Sequence, residues 1–138
     1  MFYNFAEYLK TELPTERIYV NKREKLSTED FIPDRNILIR ETGGNTQPYT
    51  LYTNKTIQVI CRDLAVPNAR ALAWEVYQLF SDNGTFGLLL PAVTVNSIIY
   101  PASQTGQISP IQEPFNLGTD AEGRTEFTTN YNIIYQRS

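Results

Sequence analysis

Histidine is absent from this 138-residue chain, and Cys61 is its only thiol. The first fact removes the side chain that most often serves as general base, nucleophile activator or transition-metal ligand near neutral pH. The second removes any intrachain disulfide and any cysteine metal cluster. Cys61 lies in the apolar run TIQVIC, where a free cysteine behaves as a small hydrophobe, so a buried, unreactive thiol is expected. Carboxylates are what remain. Glu29, Asp30 and Asp34 are close in sequence, but nothing around them suggests the desolvation that splits paired carboxyls into an acid and a base. They read as a solvated acidic face. An enzyme working through carboxylates alone would need a cleft with strongly shifted pKa values, and the sequence shows no preference for one.

Two glycine-containing stretches invite a ligand and fall short. Thr42-Gly43-Gly44-Asn45-Thr46 lacks the Lys-Ser/Thr ending of a phosphate loop, and no helix pattern begins behind it. It reads as a hairpin turn. Asp120-Ala121-Glu122-Gly123 lacks the alternating oxygen ligands and closing glutamate of a calcium loop, so local Asp and Gly chemistry in a turn is the better reading. Tyr3, Tyr8, Tyr49 and Tyr52 could stack on single-stranded bases, but the basic groove that accompanies such stacking is missing. Net charge is −3, with acidic and basic residues interleaved between Lys10 and Arg40, which also argues against a broad duplex-binding surface. No catalysis, cofactor, metal or specific nucleic acid is therefore expected. No apolar run approaches the ~20 residues of a bilayer span, and the start MFYN lacks the basic residues of a secretory signal, so a soluble chain without membrane contact is expected.

The elements that would position these residues are clearer. The stretch VPNARALAWEVYQLF (66–80) sets Ala69, Leu72, Ala73, Val76 and Phe80 at the spacing of one helix face. Pro67 suits a first turn and Asp82-Asn83-Gly84 a stop, which predicts a helix over 67–81. Phe2, Phe5, Ala6, Leu9 and Leu13 form a second stripe; with Asn4 as cap and Pro14 as terminator, a short helix over 4–13 is expected, docked on the sheet or on another subunit. Strands are expected at 17–21, 36–41, 49–62, 93–100 and 126–136, with 22–34 as an irregular excursion. In the last strand Phe127, Thr129, Tyr131, Ile133 and Tyr135 share one side. Residues 101–124, rich in proline and glycine with little periodicity, read as a long irregular loop or arm, a kind of segment that is usually functional or ordered by a partner. Aromatics make up 12% of the chain and are spread through the strand-like runs, which favours a sheet-rich structure. The fold class that follows is α+β: a mostly antiparallel or mixed β-sheet with two α-helices packed on one face, plus a long loop or arm, in a single domain over 1–138.

The order of these segments resembles the tail terminator proteins, also labelled minor capsid proteins, of long-tailed bacteriophages. The resemblance rests on the opening helix, on TIQVICRD (56–63) running into ARALAWEVYQLF (69–80), and on PFNLGTDAEGRTEFTTNYNIIY (114–135). It implies a structural virion protein: a ring, commonly a hexamer, that caps the finished tail tube, ends its polymerisation and offers an interface for head–tail joining. Its partners would then be further copies of itself, the tail tube protein and the head–tail connector protein. It would be assembled in the host cytoplasm and end at the head–tail interface of the virion. Within this reading Gln104, Ile108, Ile111, Phe115, Asp120 and Arg124 are the candidate residues for subunit or partner contacts, with Arg124 able to meet a carboxylate across the contact. Another head–tail connector or head-closure component, or a nucleic-acid-binding packaging factor, stands as the alternative.

Overall fold

The computed structural model of the chain describes residues 1–25, 31–46, 52–81 and 85–136. Helix α1 (Phe2–Glu12) buries Phe2, Phe5, Ala6 and Leu9, and Leu13 is buried just beyond it, so the whole predicted stripe docks within its own chain. Asn4 is not the cap. The helix begins earlier, Met1 holds the cap position, and Asn4 is buried inside the first turns. After the short strand β1 (Ile18–Val20), β2 (Asn36–Thr46) and β3 (Tyr52–Asp63) form an antiparallel pair. Helix α2 (Val66–Ser81) follows and buries the five predicted residues Ala69, Leu72, Ala73, Val76 and Phe80. The predicted stop at 82–84 lies outside the described residues.

β2 runs through the glycines that were expected to break it. Pairing with β3 continues to Thr46 across an irregularity between Glu41 and Gly43. Gly43 and Gly44 have φ of +107° and +153°, and a Cβ on Gly44 would overlap the Asn54 carbonyl. The glycines therefore absorb an extra residue as a bulge inside the strand instead of turning the chain. The run expected as one strand over 93–100 is also divided. β4 (Thr85–Phe86) and β5 (Leu89–Leu90) precede a separate hairpin of β6 (Val93–Val95) and β7 (Ile98–Tyr100). Asn96 and Ser97 take φ of 51° and 66° between them, the left-handed pair that lets a two-residue turn follow the twist of its strands.

The largest correction concerns 101–124, which is not an irregular loop. It contains β8 (Ser103–Pro110) and β9 (Phe115–Thr119), both antiparallel to the final strand β10 (Thr125–Gln136). Its prolines stand where they do no harm to the ladder: Pro101 and Pro114 lie outside the strands and Pro110 ends one. Sheet order is β1-β2-β3-β10-β8-β4, with β5 also on β8 and β9 also on β10; among the described residues the β1–β2 pair alone is parallel. This is the α+β class with both helices on one face.

The helical face holds the main core. Ile37 and Ile39 of β2, Ile57, Val59 and Cys61 of β3, and Phe127, Tyr131 and Ile133 of β10 meet the stripes of α1 and α2 there. The period of two along each strand places every one of these side chains on that face. Tyr131 is fully buried, its ring 5.2 Å from Phe80 and 6.3 Å from Phe5. The other face has a smaller cluster of Tyr19, Leu38 and Ile60, against which Ile32 packs. The described end of the excursion, residues 31–34, lies on this face, tied down by Arg62, whose Nε donates to the Asp34 carbonyl and Nη2 to the Pro33 carbonyl at 3.0 Å each, while residues 26–30 lie outside the described residues.

Candidate functional site

β8 and β9 lie end to end along one edge of β10. β8 pairs opposite residues 131–135, while β9 pairs opposite 125–128. The six residues expected at contacts therefore fall on the side of β10 that carries β8 and β9, in different environments. Ile108 is fully buried in the core and presents nothing to a partner. Its neighbour Gln104 is exposed on β8, where its Nε2 donates to the Thr105 carbonyl. Ile111 and Phe115 are 58% and 45% exposed, although the Ile111 backbone N–H is held by the Asn130 carbonyl at 2.8 Å. Leu117, which the sequence reading passed over, is 50% exposed beside them. Among the described residues β9 pairs with β10 alone, so its outer edge carries an open row of backbone donors and acceptors next to these side chains.

Asp120 and Arg124 close the β9–β10 turn. Asp120 Oδ1 accepts from the backbone N–H groups of Glu122 and Arg124 at 3.0 Å each, and Oδ2 accepts from Arg124 Nε at 2.8 Å. The Arg124 backbone N–H, helped by its guanidinium, holds the Asp120 carboxyl below its ordinary pKa. Arg124 also pairs with Glu122 at 3.1 Å and Asp34 at 3.4 Å. Its charge is thus matched by carboxylates of its own chain, and within the subunit the pair closes the hairpin.

A second exposed apolar surface was hidden in the run that read as one strand. On the β6–β7 hairpin Ile98 is 55% and Ile99 73% exposed. Adjacent strand residues point to opposite faces, so both sides of this hairpin meet solvent near its tip. The base is anchored by Asn4, whose Nδ2 donates to the carbonyls of Pro91 (2.9 Å), Pro101 (3.0 Å) and Tyr100 (3.3 Å). The Tyr3 ring packs 5.0 Å from Tyr100. Asn96-Ser97 inside an apolar run was the sequence signal for this turn.

Burial pushes the Cys61 thiol well above its ordinary pKa, so it is neutral and inert. Among the described residues no three His, Cys, Asp or Glu side chains gather to hold a metal, and no helix is long and apolar enough to cross a membrane. Arg35 is held between Glu16 and Asp63, where it ties the end of β3 to the segment after α1.

The chain is thus an α+β subunit that exposes apolar side chains on β9 and on the β6–β7 hairpin. The chain belongs to the bacteriophage tail terminator family, whose model matches residues 26–137. No curated protein matches it. It is accordingly a structural component of the phage tail, working with other tail and head parts.

Proposed function

We propose that the protein acts as one domain that assembles into a homohexameric ring. The ring caps the finished tail tube, ends its polymerisation and presents a surface for head–tail joining, the position also described as a minor capsid protein. The observation that carries this reading is the pair of exposed apolar surfaces, Ile98-Ile99 and Ile111-Phe115-Leu117, which stand unpacked in the single chain. Contiguous exposed apolar groups of this kind mark protein contacts. In this reading the partners are the tail tube protein and the head–tail connector protein, with assembly in the host cytoplasm before incorporation into the virion; membership of the tail terminator family supports it. No catalytic step is part of the role.

Light scattering of the purified protein, alone and with tail tube protein, tests the reading. A mass of six subunits is expected, together with tubes that stop growing once the protein is added. A monomer that neither assembles nor binds tube ends would sink it. An oligomer that ignores tubes but binds the connector would instead favour a head-closure component, and salt-dependent retention on DNA would favour a packaging factor.

A further inference from the structure

We propose that the β6–β7 hairpin of one copy docks on the open β9 edge of the next, so that Ile98 and Ile99 meet Phe115, Leu117 and Ile111 in a head-to-tail contact. The inference rests on the ring reading and says which surfaces make the ring. Three observations select a second copy of this chain as the occupant.

The first is position. The hairpin leaves the sheet beside Ser103 and Gln104, at the margin that pairs with Tyr135, whereas β9 pairs with residues 125–128 at the opposite end of β10. Tyr135 and residues 125–128 are seven to ten positions apart on β10, or about 24–34 Å at ~3.4 Å per residue. A hairpin of three-residue strands cannot cover that distance to its own β9. Complementary surfaces at opposite ends of one subunit make a heterologous contact, the kind that closes into a ring when the rotation permits.

The second is charge. Residues 92–102 contain no charged side chain, and neither does FNLGT of β9. Exposed edges are normally guarded by lysine or another charge, and β9 has none. Neither of these two stretches brings an ion into the contact; the exposed Glu113 lies beside it, between Ile111 and Phe115.

The third is incomplete pairing on both sides. Among the described residues β6 and β7 pair only with each other, and β9 pairs only with β10. A two-stranded ribbon is marginal by itself, so an added neighbour stabilises it while occupying the open β9 backbone groups.

The test uses the full chain and two exposed substitutions, Ile99→Asp and Phe115→Asp, each checked for the wild-type melting curve. Each variant alone should be monomeric by light scattering at concentrations where the wild type assembles, with self-association weakened at least 100-fold. Mixing them in equal amounts should restore dimers and nothing larger, because the intact hairpin of the Phe115→Asp copy still fits the intact edge of the Ile99→Asp copy. The inference is overturned if either variant alone still assembles like wild type, or if the mixture stays monomeric. Variants that form normal rings but fail to cap tubes would assign these surfaces to the tube, leaving the ring reading standing and this one wrong. A wild-type chain that never assembles overturns both.

Discussion

Asn4 shows how one polar side chain can set the place of a whole surface. It is 1% exposed within an apolar helix face, and the three carbonyls around its Nδ2 dictate which way the amide points. They come from both sides of the β6–β7 hairpin, so the amide fixes where the hairpin leaves the body. Asn4→Ala would leave those carbonyls without their donor and should cost about 1–3 kcal/mol. The expected result is a lower urea midpoint together with faster amide exchange in the hairpin; an unchanged midpoint would mean that water replaces the amide without loss. A sequence reading could not have placed this residue. Asn near a helix start reads as a cap, and only the fold brings Pro91 and Pro101 to it.

At the scale of elements, α2 was the most legible part of the chain because its burial pattern is local. Five apolar residues at helical spacing need one flat surface, and β3, β10 and β8 provide it. Full burial of Leu72, Val76 or Phe80 is worth about 1.5–3 kcal/mol each. Leu72→Asp would bury an unpaired charge there and should destabilise by more than about 4 kcal/mol. Loss of the cooperative melt is the expected readout, and a folded Leu72→Asp protein that only failed to assemble would place this helix face at an interface. β8 was illegible for the opposite reason. Its buried residues Thr105 and Ile108 are separated by a glycine-containing irregularity opposite Ile134 and Tyr135, so no run of alternation survives in the sequence. Thr105 is held instead by a hydroxyl bond to the Leu88 carbonyl at 2.9 Å.

For the whole molecule, the reassignment of 101–124 from loop to strands changes what its removal would do. A loop over that span could be cut out with the fold intact. In the structure residues 104–115 contain most of β8, which joins β10 to β4 and β5 and contributes Ile108 to the core. Deleting 104–115 should therefore abolish folding, seen as lost near-ultraviolet circular dichroism and an insoluble product. A deletion variant with a native melt would restore the loop reading. Surface contacts must be probed by point changes on the exposed side of the β9 margin, where Phe115 and Leu117 can be altered without touching the core.

What the residues determined by themselves were the local patterns and the missing chemistries. Helical stripes recur every three or four residues, alternation in β10 recurs every two, and the absence of histidine is visible without any fold. Those patterns gave the α+β class, and the resemblance carried by the opening helix and by residues 56–63, 69–80 and 114–135 gave the tail terminator family. Tertiary structure alone decided which apolar residues stay outside. Ile108 and Ile111 are three positions apart and equally apolar, yet one is sealed in the core and the other is 58% exposed. The difference is set by strand register against β10 and by the helices overhead, both non-local, and no reading along one chain contains them.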